Sequence, residues 1–324
     1  MATPNERTET DLILKDNEPL NIKKLGLDGA YRWLKLTVIL SMTNLGVAPV
    51  FKEDDILNYI TAVGIRRNGK FFKFNLPLRF AYKLQTSDVG TPAFYQAPIT
   101  TINETYDAIA EYTIHFAEDI LNENDISALL QTKNLTNLEL VISTGDKEDI
   151  ASVNAPTINS AKVEIEIRDF TGEGRKGGDI NDSKSENMTD ITEIVEEIDL
   201  QTGRTDYVKK AQEIDMVSGS SILVHAGLVL DNGVASNDRV TGFRTWNVPP
   251  RTSDFERNFK GLVRDTKTNY ALENTINGFF KINWQEKLGR LGFVTGVKSK
   301  ELIQLLTNGI VSKEDTILLY TKSV

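Results

Sequence analysis

Tyr112-Thr113-Ile114-His115-Phe116 and Leu138-Glu139-Leu140-Val141-Ile142 read as two apolar strands, rich in aromatic and β-branched side chains. Between them, Asn122 to Thr132 reads as a short helix, with Asn124 as N-cap of Asp125-Ile126-Ser127-Ala128-Leu129-Leu130. The second half of the chain carries the same order. Phe279-Phe280-Lys281-Ile282-Asn283-Trp284 is the strand and Ser299 to Asn308 the helix, with Ser299 capping Lys300 to Thr307 and Gly309 as its C′ residue. Thr316-Ile317-Leu318-Leu319-Tyr320 is the closing strand. A strand–helix–strand order met once per half predicts two tandem copies of one β-domain. That is the organisation of a building block rather than an enzyme.

The strands outward from this core are legible from their periods. In Tyr31 to Leu40, alternation places Leu34, Leu36, Val38 and Leu40 on a buried face and Trp33, Lys35, Thr37 and Ile39 on the other. Ile60 to Arg67 turns through Asn68-Gly69 into Lys70 to Leu76; Asn-Gly between apolar runs is a strong hairpin signal because both residues accept positive φ. Val163-Glu164-Ile165-Glu166-Ile167-Arg168 alternates strictly, with one face dry and one wet. About eight short strands with regular turns in the first half predict an all-β sandwich or barrel. In the second half, Glu193 to Leu200 fits either helix or strand. Ser221 to Leu230 and Val240 to Val248 are strands, Asp231-Asn232-Gly233 is a turn, and Phe255 to Tyr270 reads as a loop with a helical turn.

Length and composition allow two domains. The chain has 324 residues, 40% hydrophobic and 26% charged, so each half can bury its own core. Residues 1–24 are polar and read as an extended N-terminal arm, 25–170 as the first domain, 171–189 as a Gly-rich, charged linker and 190–324 as the second domain. The net charge of −9 argues against a direct nucleic-acid surface and suits a protein held soluble before assembly. There is no cysteine, which excludes disulfides and thiolate metal sites. The N-terminus lacks the features of a signal peptide, and the uncharged run Leu36 to Phe51 is too short and polar to cross a bilayer.

Motifs that could carry chemistry weigh little. Gly172-x-Gly174-x-x-Gly177 lacks the helix a dinucleotide fingerprint requires, and Asp179-x-Asn181-x-Ser183 lacks the Gly and Glu of a calcium loop. Glu53-Asp54-Asp55 reads as a solvated turn. The two histidines, His115 and His225, lie in apolar strands and read as structural; no Gly-x-Ser-x-Gly elbow occurs, and Ser218-Gly219-Ser220-Ser221 has the wrong order. Trp33, Trp246 and Trp284 read as core or interface. The Asn-x-Thr acceptor patterns at Asn103, Asn134 and Asn187 carry no weight without a secretory signal. No catalytic, cofactor or metal residue is assigned.

These strands resemble the double jelly-roll major capsid proteins of icosahedral viruses with an internal membrane. Tyr112 to Phe116, Asp125 to Leu130 and Leu135 to Leu140 resemble the late strands of that family's N-terminal roll. Asn277-Gly278-Phe279 to Trp284 resembles the corresponding strand of the C-terminal roll, and Arg32-Trp33-Leu34-Lys35-Leu36 and the Asn68-Gly69 hairpin fit as well. Cysteine-free, Asn/Lys/Ile-rich usage is compatible with a bacteriophage member. The resemblance implies two tandem eight-stranded jelly rolls with short helices in loops, no enzymatic activity and no cofactor. It implies pseudo-hexameric homotrimers that tile an icosahedral shell around an internal lipid membrane. Penton and minor capsid proteins would be further partners, and the arm bearing Arg7, Lys15, Lys23 and Lys24 would contact membrane or neighbouring tiles. The protein would reside in the virion, after a passage through host cytoplasm. Leu84 to Thr101 and Asp231 to Asp238 are candidate outer or inter-tile loops. The alternative is a carbohydrate-binding β-sandwich, a lectin or spike domain, supported by the same strands with Trp33, Trp246 and Asn/Asp-rich loops. A glycoside hydrolase needs only two facing carboxylates, which 46 acidic residues always supply.

Overall fold

The computed structural model describes residues 3–27, 29–116, 129–132, 135–171, 192–200, 206–210, 221–248, 252–284, 293–294, 300–307 and 315–323. The chain divides into two units, Met1–Asp190 and Ile191–Val324. In the first, eight strands carry the fold: β1 (Thr3–Ile13), β2 (Asn21–Lys24), β3 (Ala30–Thr43), β4 (Ile60–Arg67), β5 (Lys70–Leu76), β6 (Thr105–His115), β7 (Leu138–Thr144) and β8 (Thr157–Thr171). The helix α1 (Leu78–Val89) lies between β5 and β6. In the second, the strands are β9 (Thr192–Asp199), β10 (Asp206–Lys210), β11 (Ser221–Asp231), β12 (Val240–Val248), β13 (Thr252–Asn258), β14 (Phe279–Asn283), β15 (Lys300–Thr307) and β16 (Thr316–Ser323), with α2 (Phe259–Asn269) between β13 and β14.

Every ladder is antiparallel. The first unit has sheets ordered β1-β8-β3-β6 and β2-β7-β4-β5; the second has β9-β16-β11-β14 and β10-β15-β12-β13. The second order is the first advanced by eight strands. Short bridges decorate these sheets: Tyr95–Gln96 on β6, Leu130–Gln131 on β3, and Val50–Phe51 against Ala151–Val153. Two four-stranded sheets interleaved in this order make a jelly roll, and the chain holds two.

Side-chain alternation explains the first roll. Register aligns Ile167, Leu34 and Ile114 across β8, β3 and β6, then Ile165, Leu36 and Tyr112, then Val163, Val38 and Ala110. All nine are buried. Stepping one residue gives the wet rows Glu166, Lys35, Thr113 and Glu164, Thr37, Glu111, where Lys35 Nζ lies 3.0 Å from Glu111 Oε1. The Asn68-Gly69 turn joins β4 to β5 with φ of 48° and 83°, as the hairpin signal requires.

Several expectations are corrected. Residues 3–24 are not an arm: β1 pairs with β8 from Thr3↔Thr171 to Ile13↔Lys162, and β2 pairs with β7. Both are edge strands, so their polar composition reflects a wet edge rather than a free segment. Lys300 to Thr307 is a strand, not a helix. It lies between β10 and β12 with its backbone paired on both sides, and burial alternates from Gln304 to Thr307. Leu130–Gln131 is likewise a strand bridge; residues 122–128 of that expected helix lie outside the described residues, as do Gly309, residues 172–189 of the expected linker and both of its motifs, while Thr171 ends β8. Among the described residues, the helix common to both rolls sits one connection earlier, as α1 and α2. Helix α2 begins at Asn258, whose Oδ1 accepts from Gly261 N at 2.6 Å, and buries Phe259, Leu262, Val263 and Thr266.

A buried ion pair fastens the first strand. Arg7 Nε stands 3.3 Å from the buried Asp169 carboxylate, and its Nη2 donates to Tyr31 Oη at 2.9 Å. Tyr31 donates in turn to Gly26 O at 2.7 Å, and burial raises its pKa to about 12. Gly29 has no room for a side chain, because a Cβ there would lie 2.6 Å from Asp169 Oδ2. Arg7→Ala leaves the Asp169 charge without its cation and should cost about 3 kcal/mol in urea unfolding. Amide exchange should accelerate along Thr3–Ile13 while β3 and β6 stay protected; unchanged exchange there would show that the pair does not hold β1.

Candidate functional site

The chemistry-bearing residues do not converge. His115 ends β6 on the outer face of its sheet, opposite Trp33, which faces Arg168 on its other side. His225 lies in the core of the second roll. Trp284 is buried there too, whereas Trp33 is half-exposed. Among the described residues, no three His, Asp or Glu side chains gather as metal ligands. Ser218 to Ser220 lie outside the described residues.

Glu53-Asp54-Asp55 is only partly the solvated turn expected. Glu53 is exposed, but Asp54 and Asp55 are half-buried. Lys83, from α1, pairs with Asp54, and the Tyr95 hydroxyl donates to Asp55. Burial raises the Asp55 pKa, opposed by that hydrogen bond. Tyr82 donates to Ala93 O at 2.6 Å and meets Tyr95 edge-on at 6.2 Å. Tyr59 donates to Asp16 Oδ1 at 2.6 Å. Together these contacts brace the β3–β4 connection against α1 and the segment following it.

That bracing supports a surface. Asn44 Nδ2 donates to Ile99 O and Thr101 O, each at 2.7 Å, and Tyr106 Oη donates to Asn44 Oδ1 at 3.1 Å. Asn103 N donates to Leu45 O, and Asn154 Nδ2 to Ala48 O at 3.1 Å. Three loops are thereby tied together: 44–50, 99–104 and 151–156. From them project Leu45, Val47, Val50, Ile102 and Val153, each between 47% and 61% exposed. The loops expected to carry contacts coincide with this surface only in part: Ile99 to Thr101, the end of the expected Leu84 to Thr101, belongs to it. Leu84 to Val89 belongs to α1, and Asp231 to Asp238 is a hairpin turn fastened by Arg239 to Asp231 at 2.8 Å and to buried Asp315 at 3.1 Å. The sequence signal for these exposed loops is the uncharged run Leu36 to Phe51.

Known structures share this architecture end to end. The STIV MCP superposes at a TM-score of 0.77 with 12% identity, covering 99% of this chain and 97% of that one. The fold is a double jelly roll. The major capsid protein P2 from bacteriophage PM2 aligns at 0.58 with 10% identity over 99% and 97%, and the PBCV-1 virus capsid at 0.64 with 7% identity over 99% and 93%. No protein-family model and no curated protein matches the sequence. At such identities the likeness establishes the fold. The double jelly roll occurs in these neighbours with viruses of several kinds, so it does not carry a bacteriophage origin.

Within this double jelly roll, the second core holds one unusual group. His225 is fully buried among Phe243 and Trp284, with Trp284 Nε1 donating to its Nδ1 at 2.9 Å. The acceptor role of Nδ1 fixes a neutral ring protonated at Nε2. Burial lowers its pKa from 6.5 to about 3. An unfolded imidazole takes up a proton below pH 6.5 that the buried one refuses. His225 thus contributes its full share of stability above that pH, and loses about 1.4 kcal/mol per unit as pH falls toward 3. His225→Phe removes the acceptor of Trp284, should cost about 1–3 kcal/mol at pH 7, and should flatten this acid limb. Urea titrations at pH 7 and pH 4.5, followed by tryptophan fluorescence, measure both; an equally steep limb in the variant would assign the slope to carboxylates.

Proposed function

We propose that this protein is a structural capsid protein whose output is self-association into an icosahedral shell. The observation that supports it is the tandem pair of rolls, identical in strand order, matching capsid proteins along nearly the whole of both chains. In this reading three copies form a trimer with six rolls and a pseudo-hexagonal outline. Such tiles cover an internal lipid membrane and meet penton and minor capsid proteins at specialised positions. Residues 171–189 connect the rolls. The site of action is the virion, reached after synthesis in host cytoplasm. The acidic balance keeps the shell lining off nucleic acid. A trimer of this kind buries an interface above roughly 2,000 Å², with weaker contacts between tiles so that errors anneal. Residues 3–13 and 21–24 are paired in sheets, so no free arm is assigned to the membrane.

The carbohydrate-binding alternative finds no counterpart in the neighbours above, and no described cluster of side chains favours catalysis. Purified protein should behave as a trimer by light scattering after gel filtration, and negative-stain images should show particles with pseudo-six-fold outline. A monomer at all concentrations that is retarded on immobilised glycans would replace this reading with a sugar-binding one.

A further inference from the structure

The first roll ends in a platform built from three segments of sequence with no charged residue: Leu36 to Phe51, Val89 to Asn103 and Ile150 to Ala161. The chain as a whole is 26% charged. Five aliphatic side chains (Leu45, Val47, Val50, Ile102 and Val153) stand on these segments, half-exposed or more, on backbone that the Asn44, Asn103 and Asn154 hydrogen bonds hold in place. Five of the ten large hydrophobic side chains exposed among the described residues are gathered here. Such a patch, preformed and rigid, marks an interaction surface, because it presents apolar area without an ordering cost.

Charge decides the occupant. A copy of this chain brings the same net −9, and two such copies repel wherever charged faces meet. They meet at least cost where neither apolar burial nor neutrality is interrupted. A lipid surface is a poorer fit. Its anionic headgroups repel an acidic protein, and an interfacial anchor would carry several Lys or Arg around its apolar residues, whereas these segments contain none and exposed Lys52, which follows Phe51, is offset by Glu53 beside it. We propose that the platform of Leu45, Val47, Val50, Ile102 and Val153 is a docking surface for a second copy of this chain. The proposal rests on the assembly reading above and names where that assembly makes contact.

The test uses the full chain carrying Val47→Glu and Val153→Glu together. Both side chains are exposed, so thermal unfolding should match the unsubstituted protein. Sedimentation velocity over a concentration series should show self-association at least about tenfold weaker, with partial recovery in high salt as the added charges are screened. Val234→Glu, on the exposed hairpin turn of the second roll, should associate like the unsubstituted protein. The absence of cysteine permits a second readout: Val47→Cys supplies a single thiol for a polarity-sensitive dye, whose emission should shift to the blue on association. Equal association of the double variant and the parent, an equal loss in Val234→Glu, or a dye that stays wet would overturn the platform and leave the assembly reading intact. Loss confined to binding of anionic vesicles would overturn it in favour of a membrane contact. A parent protein that stays monomeric throughout would overturn the assembly reading itself.

Discussion

Strand β3 sets the register on which the first roll depends. Its alternate residues form the middle of three-residue rows with β8 and β6, dry on one face and ion-paired on the other. A slip by one residue would drive Lys35, Thr37, Glu164 and Glu166 into the core. The same register lines up the strand ends: Thr157 faces Thr43, which faces Thr105. Thr43 and Thr105 hydroxyls meet at 2.8 Å, and Asn159 Nδ2 donates to Thr43 Oγ1 at 2.8 Å. The connections that leave β3 and lead into β6 and β8 therefore start side by side. The apolar platform is thus a consequence of core alternation: residues distant in sequence are brought to one end by the rows beneath them.

Each roll also buries one aspartate against an arginine, at different places. Asp169 near the end of β8 holds Arg7 and so keeps the polar first strand in its sheet. Asp315 just before β16 holds Arg239, and its Oδ1 accepts from Asn232 N at 3.1 Å, which fixes the turn after β11. A buried pair of this kind adds little net stability, since desolvation offsets the attraction. Its effect is to penalise alternatives. With Arg7 displaced, Asp169 would lose that ion pair while staying in the core, so an edge strand with few apolar residues still has one favoured partner.

Legibility followed the physical origin of each element. Strict alternation identified β3 and β8 with the correct faces, and positive-φ chemistry identified the Asn68-Gly69 turn, because these are local properties. Lys300 to Thr307 misled because Leu302, Leu305 and Leu306 fit a helical stripe and its residues are good helix formers; pairing on both sides by β10 and β12 overrode that preference. Helix α1 had its punctuation in view, with Pro77 before it and Gly90 at a φ of 85° after it, around buried Leu78, Ala81 and Leu84. It was passed over because its apolar residues are interspersed with Arg79, Lys83 and Asp88. The platform was legible only in part, for a different reason. The candidate loop Leu84 to Thr101 reaches into it, but only the tertiary register sums that loop with the two others.

Duplication with divergence gives the two rolls different consequences. The strand order and the position of the helix are the same in both, so the cores answer one folding problem twice. The connections do not. The first roll joins β3 to β4 through the neutral run 44–51 followed by the charged Lys52-Glu53-Asp54-Asp55, whereas the matching connection in the second, Asn232 to Arg239, is short and ends in Asp238 and Arg239, with Asp238 paired to Lys260 at 2.7 Å. The helix-bearing connections are charged in both rolls: Arg79, Lys83 and Asp88 in the first, and Lys260, Arg264, Asp265 and Lys267 in the second, where Arg257 is bound to Asp265 at 2.8 Å. A chain with the same apolar end on both rolls could join its copies in several equivalent ways, and contacts that do not close run on into open aggregates. Among the described residues, the exposed apolar side chains at the end of a roll gather on the first alone, which removes that degeneracy. The asymmetry between otherwise matching rolls is what a duplicated fold needs if it is to associate with itself in one manner only.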